Sequence, residues 1–146
     1  MNVLLIFIWI YAAMIAMSFW ESSVEGRNAW DKNKLGWKIR LGKKYVFPAY
    51  HFYVFWIMWP ILLTLPLVVY GWDAKLFGIL ASAYFSGLVL EDFMWYVVNP
   101  AVKFKEFWSE LSDYYPWVKI NGKKIIPLFY IIGILMAILF WYFLWR

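Results

Sequence analysis

The sequence predicts an all-α integral membrane protein built as a bundle of four membrane-spanning helices. Hydrophobic residues make up 65% of the 146 residues and aromatic residues 25%, more apolar surface than a soluble domain of this size buries. Four apolar stretches are each long enough to cross a hydrocarbon core of about 30 Å. The basic residues are concentrated in the two long loops between these stretches. Residues 1–146 are therefore interpreted as a single membrane domain.

Each predicted span has its own local signals. The first, residues 3–20, carries no charged side chain and lacks the basic segment that opens a signal peptide. The second, residues 49–70, contains two prolines, which a membrane helix tolerates when neighbouring helices satisfy the freed carbonyls. The third, residues 74–98, follows Asp73, a side chain suited to capping a helix N-terminus. The fourth covers residues 127–145.

The distribution of Lys and Arg sets the predicted orientation. Seven of the 14 basic residues lie in positions 27–44 and five in positions 103–124. Cytoplasmic loops collect Lys and Arg, so we expect both loops in the cytoplasm and both ends of the chain outside. The net charge of +5 then reflects topology, and we expect no nucleic-acid partner. The expected location is a prokaryotic plasma membrane.

Residues 101–115 are predicted to form an amphipathic helix that lies flat in the cytoplasmic interface. Asn99-Pro100 is typical of a helix start. Aromatic residues then recur at helical spacing on one side, with charged residues on the other, as in helices that lie on membranes. Pro116 is expected to end this helix.

The two long loops share a short internal repeat. Each contains a Trp, a Gly-Lys-Lys that begins five residues later, and then a Pro at the start of the next span; the two copies start at Trp37 and Trp117. Asn121-Gly122 in the second copy is typical of a β-hairpin turn. The repeat indicates either a duplicated two-helix unit with both copies oriented alike, or two loops that met the same topological needs. The sequence leaves both interpretations open.

Ionisable side chains inside a membrane span are costly and are therefore candidate functional groups. Five such groups are predicted to reach one depth near the cytoplasmic boundary, from three different spans. The candidate metal ligands are Glu21, Glu25, His51, Glu91 and Asp92. Glu21 and Glu25 share a helix face at i, i+4 spacing. Glu91 lies 17 residues after Ala74, about 26 Å along a helix at roughly 1.5 Å per residue.

Carboxylates with one imidazole suit a divalent metal such as Mg²⁺, Mn²⁺ or Zn²⁺. The candidate charge or hydrogen-bond partners of this site are Arg27, Tyr50 and Tyr53. The candidate contacts for anionic lipid headgroups are Lys43, Lys44, Lys123 and Lys124. The chain has no Cys and a single His, so we expect neither an iron–sulfur cluster nor a haem held by two histidines of one chain.

Several functions fit these observations. The first is a small membrane protein with a cation-binding site at the cytoplasmic face and a role in transport or binding. An alternative is a metal-dependent enzyme that acts on a lipid or isoprenoid phosphate headgroup, and another is an accessory subunit of a membrane complex. A homo-oligomer is also compatible with the sequence. A further alternative for the acidic cluster is a proton or cation relay, with Glu91 as the titrating group of a transporter. In a purely structural alternative, Glu91 and Asp92 pair with Arg27, Lys32 or Lys44. No motif specifies a reaction, since the sequence has no Gly-rich phosphate loop and no HExxH.

Overall fold

Four long helices dominate the structure, as the sequence predicts. A computed structural model of the protein describes residues 2–27, 35–41, 45–114 and 116–146. The four helices are each long and apolar enough to cross a membrane. They are α1 (Val3–Glu25), α2 (Ala49–Tyr70), α3 (Ala74–Val98) and α4 (Leu128–Trp145). The prediction of a mostly helical, multi-pass membrane protein is confirmed.

Helix α3 is the centre of the bundle and packs against each of the other three helices. Half of its apolar stretch is buried, compared with 11–17% for the other spans. Asp73 caps its N-terminus by accepting a hydrogen bond from the backbone N–H of Leu76 at 3.0 Å. Because α3 is enclosed by protein, side chains that lipid would not tolerate find partners along it.

Helices α1 and α3 run parallel and approach each other closely. A Cβ on Gly87 would lie 3.0 Å from Cγ of Met14, so any side chain there would require Met14 to move aside. One turn further along, the Ser18 hydroxyl lies 2.7 Å from the backbone carbonyl of Glu91. Small residues let membrane helices pack this tightly. The contact brings the last turns of α1 alongside Glu91.

Helix α4 packs against the opposite side of α3. A Cβ on Gly133 would lie 2.8 Å from Cγ2 of Val89 and 3.1 Å from the carbonyl oxygen of Phe85. Further along, the hydroxyl of Ser82 donates a hydrogen bond to the carbonyl of Ala137 at 2.9 Å. Small residues therefore hold α3 between two neighbours along its length.

Helix α2 changes its winding along its length. It begins as one α-helical turn, widens into a π-helix over Phe52–Met58 and returns to α-helix from Trp59. Pro60 follows directly, and a proline ring removes a hydrogen bond and crowds the preceding turn. We attribute the wider turns to this crowding. The hydroxyl of Tyr84 on α3 donates to the carbonyl of Phe55 inside the π-helix, which ties the irregular segment to the bundle.

The predicted amphipathic α-helix at residues 101–115 is wrong. The chain instead forms two short 3₁₀-helices, Phe104–Trp108 and Glu110–Ser112, separated by Ser109 in an extended conformation. The Ser109 side chain accepts a hydrogen bond from the N–H of Leu111. A serine side chain can bond to nearby backbone groups in place of helical hydrogen bonds. Here the bond to Ser109 accompanies the end of the first 3₁₀-helix at Trp108.

This 3₁₀ segment also packs into the protein. Phe107 is 4% exposed and belongs to a cluster with Val102 and with side chains from α3 and α4, namely Trp95, Tyr96 and Tyr130. Trp108 is 44% exposed and turned outward. Only part of the apolar face is therefore available to lipid.

Two antiparallel β-hairpins precede α2 and α4. Strands β1 (Lys38–Leu41) and β2 (Tyr45–Pro48) form the first, and β3 (Trp117–Ile120) and β4 (Lys123–Pro127) form the second. The second turn carries positive φ at both Asn121 and Gly122, the conformation that a two-residue hairpin needs. The expected hairpin at Asn121-Gly122 is therefore observed. We call the end of the bundle that carries these strands the hairpin end.

The tight contacts of α3 predict graded costs for added methyl groups. Gly133→Ala should lower the free energy of unfolding by about 1–3 kcal/mol, because stiff Val89 and a backbone carbonyl cannot move aside. Gly87→Ala should cost less, since its neighbour is the flexible side chain of Met14. Thermal unfolding in detergent would measure both. An equal or larger loss for Gly87→Ala would contradict this account of the packing.

Candidate metal centre

The last turns of α1 present two carboxylates to the bundle interior. Helix α1 continues to Glu25, five residues beyond the predicted end of the first span at Trp20. Glu21 and Glu25 are one turn apart and only 4% and 7% exposed. Ser18 and Ser22, on the same side of α1, are also buried. The parallel contact with α3 thus turns a polar stripe of α1 inward.

His51 completes this group from the first turn of α2. Its Nε2 lies 3.6 Å from Oε1 of Glu21 and 4.0 Å from Oε1 of Glu25. One ligand atom from each of the three side chains lies within 4.8 Å of the others. The neighbouring Tyr50 donates its hydroxyl hydrogen bond to Oε1 of Glu25.

Aromatic rings fix the orientation of the imidazole. The ring of His51 stacks on Tyr50 with centroids 4.3 Å apart, and on Phe55 at 5.8 Å. Phe47, from strand β2, stacks at 6.4 Å. The first hairpin also anchors the start of α2, because the N–H of Ala49 donates to the carbonyl of Trp37 at 3.0 Å. Histidine side chains that bind ligands need this kind of rigid support.

Glu91 approaches the group from α3 and is 4% exposed. Its carboxyl shares a side-chain hydrogen bond with Glu21, and the charged groups acting on it are the carboxylates of Glu21, Asp92 and Glu25. Its Oε1 is fully buried and accepts no hydrogen bond within the described part of the chain. Ionised carboxylates are acceptors only, so two of them in contact require a proton or a cation between them.

The two distances from His51 to the glutamates are compatible with a metal site. Protein oxygen and nitrogen ligands lie about 2.1 Å from Zn²⁺ or Mg²⁺, so two donors of one ion are at most about 4.2 Å apart. The distances from His51 to the two glutamates, 3.6 and 4.0 Å, fall inside this limit. Glu21, Glu25 and His51 could therefore hold a metal ion, with Glu91 beside them.

Asp92, also predicted as a ligand, faces a different helix. Its Oδ2 accepts a hydrogen bond from the hydroxyl of Tyr130 on α4 at 2.6 Å. Successive residues of an α-helix point about 100° apart because the helix has 3.6 residues per turn. Glu91 therefore points towards α1 while Asp92 points towards α4, although both lie at one depth.

Two of the three predicted partners contact other groups. Arg27 forms a salt bridge with Glu106 in the 3₁₀ segment and donates to the carbonyl of Ala101, so its pairing with Glu91 or Asp92 is not observed. Tyr53 is 55% exposed, and its hydroxyl accepts a hydrogen bond from Trp37 at 3.4 Å. Of the three, only Tyr50 contacts the cluster.

Of the four predicted headgroup lysines, Lys43 and Lys44 lie outside the described residues. So does Lys32, which the structural alternative pairs with Glu91 or Asp92. Lys124 is largely buried, pairs with Asp113 at 2.7 Å and lies over the ring of Trp117. Lys123 is exposed. Lys124 therefore links the second hairpin to the 3₁₀ segment.

Sequence reasoning missed the contribution of Ser18. Its hydroxyl lies within hydrogen-bonding distance of the backbone carbonyls of Met14 and Glu91, which fixes the height of α1 against α3. A signal for this role is present, because Ser18, Glu21 and Glu25 recur on one helical stripe. The sequence matches no protein-family model and has no significant match among curated proteins or solved structures.

The salt bridge between Arg27 and Glu106 predicts a dependence of stability on pH. The hydrogen bond from Arg27 lowers the pKa of Glu106 from 4.5 to about 2. A carboxyl whose pKa is lowered by folding stabilises the protein above its unfolded pKa, and this contribution disappears as the pH falls towards the folded pKa. The difference in melting temperature between wild type and Glu106→Gln should therefore shrink as the pH is lowered from above 4.5 to about 2.

The matched control is Glu110→Gln, which removes an exposed glutamate from the same segment. Solvent screening keeps any surface ion pair weak, so the differences should be small but follow this sign. A difference for Glu106→Gln that stays constant across this pH range would contradict the assigned role of the pair.

Proposed function

We propose that this chain is a multi-pass membrane protein that binds one divalent metal ion at the hairpin end of its bundle. The proposed ligands are Glu21 and Glu25 from α1, His51 from α2 and Glu91 from α3. The buried carboxyl of Glu91 supports the proposal most strongly. Its Oε1 accepts no hydrogen bond within the described residues, and the charged groups around it are other carboxylates.

Charge balance favours a divalent cation at this position. Burying an ionised carboxylate in a medium of low dielectric costs several kcal/mol unless an opposite charge is close. Glu21 and Glu25 lie beside the imidazole of His51, and the carboxyl of Glu91 contacts Glu21, at the ends of three apolar helices. A divalent ion offsets two of their charges and satisfies several oxygens at once. Imidazole nitrogen together with carboxylate oxygen suits Zn²⁺ or Mn²⁺ better than Mg²⁺.

The packing below the site favours a binding role over conduction across the bilayer. The buried side chains between α1 and α3 on the far side of Gly87 are mainly apolar and include Ile10, Met14, Leu80 and Ala83. Ion pathways through membranes are lined by polar groups or water. The bound ion is therefore proposed to exchange with the hairpin end.

One apolar groove of the bundle, among the described residues, gives the enzyme alternative no support. This groove is lined by side chains of α1, α3, α4 and the second hairpin, and Glu21, Glu25, His51 and Glu91 are absent from its described lining. An enzyme acting on a lipid phosphate at the metal needs the two sites to meet. Transport and a subunit role remain compatible with metal binding and rest on the sequence alone.

We further propose that the hairpin end faces the cytoplasm. The support is the clustering of basic residues in the two loops at this end, which the positive-inside rule associates with the cytoplasmic side. The turn between α2 and α3, Gly71 to Asp73, would then lie on the outer side, as would both ends of the chain.

We also propose that the two-helix unit is duplicated, because the same order of elements occurs twice along the chain. Each unit runs from a helix through an antiparallel hairpin into a second helix. Each hairpin is followed by a backbone bond from the next helix, from Ala49 to Trp37 and from Leu128 to Pro116. Pro127 faces Trp117, whereas Pro48 faces the residue after Trp37. The two tryptophans therefore differ by one position within this correspondence.

Cysteine labelling would test the orientation, because the natural chain has no Cys. Lys123→Cys at the second hairpin should react with a membrane-impermeant thiol reagent only from the cytoplasmic side. Lys75→Cys, an exposed position at the opposite end of α3, serves as the matched control and should react only from outside. The reverse pattern would overturn the proposed orientation.

Metal binding is tested by two neighbouring substitutions on α3. Mn²⁺ or Zn²⁺ should raise the melting temperature of wild type, since a ligand at about 100 times its Kd stabilises by about 2.7 kcal/mol. Glu91→Gln should lose this response and retain less metal in elemental analysis of the desalted protein. Asp92→Asn is the matched control, because it removes the adjacent carboxylate, which bonds Tyr130 instead, and it should keep the response.

Two results would count against the metal site. The first is wild type that gains no stability from Mg²⁺, Mn²⁺ or Zn²⁺. The second is an Asp92→Asn variant that loses the response as completely as Glu91→Gln. A purely structural role of Glu91 would appear as a lower melting temperature of Glu91→Gln in the absence of metal, because the substitution breaks a buried network.

A further inference from the structure

An open apolar groove runs along the bundle on the side away from His51. Its volume is about 710 Å³. Val89, Leu90 and Phe93 of α3 line it, together with Ile134 of α4 and Ile125 of the second hairpin. The groove therefore extends from within the spans to the hairpin end, where a membrane has its headgroup region.

A charged pocket of about 600 Å³ lies at the hairpin end of this groove. Its lining includes Lys119, Lys123 and Lys124, with Glu110 and Asp113. Lys124 and Asp113 pair with each other at 2.7 Å. Lys119 and Lys123 are exposed and form no ion pair within the described residues. Two positive charges, on Lys119 and Lys123, are therefore available to bind an anion. The one negative charge of the pocket outside the Lys124–Asp113 pair is that of Glu110.

The groove and the pocket adjoin each other along two stretches of backbone. Phe107 lines the groove and Trp108 the pocket, and their rings are in edge-to-face contact with centroids 4.8 Å apart. Likewise Lys124 lines the pocket and Ile125 the groove. An apolar channel that ends at a cationic pocket, with an exposed Trp108 at the junction, has the polarity profile of a phospholipid.

We propose that one anionic phospholipid occupies this combined site, with an acyl chain in the groove and its phosphate beside Lys119 and Lys123. The lysines favour a net negative headgroup over a zwitterionic one, because each basic side chain near the surface attracts anionic lipid. Glu110 opposes the same headgroup and limits its affinity. This site does not depend on the metal centre, since the two share none of their described side chains.

Native mass spectrometry of the full chain tests the proposal. The protein is released from micelles that contain equal amounts of phosphatidylglycerol and phosphatidylcholine. Wild type should retain phosphatidylglycerol in preference to phosphatidylcholine, at one lipid per chain. Lys119→Gln and Lys123→Gln should each weaken this retention about fivefold. Lys105→Gln, an exposed lysine outside the pocket, is the matched control and should leave retention unchanged. Glu110→Gln should strengthen it.

The groove is tested by two equal substitutions on α4. Ile134→Trp fills the groove and should reduce lipid retention, whereas Ile132→Trp, at an exposed position outside the groove, should not. If Ile134→Trp fails to fold, the lysine and Glu110 variants still decide the proposal. Equal retention of both lipids by wild type, or equal loss in the lysine variants and the Lys105 control, would overturn it. The proposal would also be overturned if wild type were a dimer in which a second copy fills the groove, and if the Ile134→Trp variant were monomeric.

Discussion

The close parallel contact between α1 and α3 is the constraint on which the site depends. At Gly87 the two backbones approach so closely that a Cβ would touch Met14. The hydroxyl of Ser18 then bonds the carbonyl of Glu91, which fixes the axial position of one helix against the other. With that position fixed, the side chain of Glu91 lies at the height of Glu21. A shift of one residue along either helix would move these carboxyls about 1.5 Å apart.

The first hairpin supplies the remaining part of the geometry. Its last strand ends at Pro48, and the N–H of Ala49 bonds back to Trp37, so the direction in which α2 starts is set before His51 is reached. Aromatic stacking by Tyr50 and Phe55 then restricts the imidazole. A buried polar cluster is stable only when its members are held in complementary positions. The hairpin and the stacked rings provide this support at the bundle end, where helices would otherwise fray.

The sequence predicts the elements set by hydrophobic length far better than those set by local polar competition. Spans are long apolar runs whose length follows from bilayer thickness, although α1 continues past its predicted end at Trp20 to Glu25. Depth along the spans correctly brings Glu21, Glu25 and His51 to one level. Depth does not determine in which direction around the helix axis a side chain points, so the sequence predicts Asp92 beside Glu91, whereas Asp92 accepts a hydrogen bond from Tyr130. The continuous helix expected at residues 101–115 failed because periodicity ignores Ser109, whose hydroxyl satisfies the backbone locally. The pairing of Arg27 with Glu106 depends on a loop path that no periodicity encodes.

The divergence of Glu91 and Asp92 has an electrostatic consequence for the whole bundle. With Asp92 turned towards Tyr130, the proposed site contains the carboxylates of Glu21, Glu25 and Glu91, and a divalent ion bound there would leave one of their three negative charges uncompensated. A fourth carboxylate on the same side would double that excess in a region of low dielectric, where each unpaired ion costs several kcal/mol. The phenol of Tyr130, which is 6% exposed, instead satisfies Asp92 by donating a hydrogen bond from a neutral group. Helix α3 can therefore carry two adjacent carboxylates inside the bundle, because their 100° separation assigns them to different neighbours.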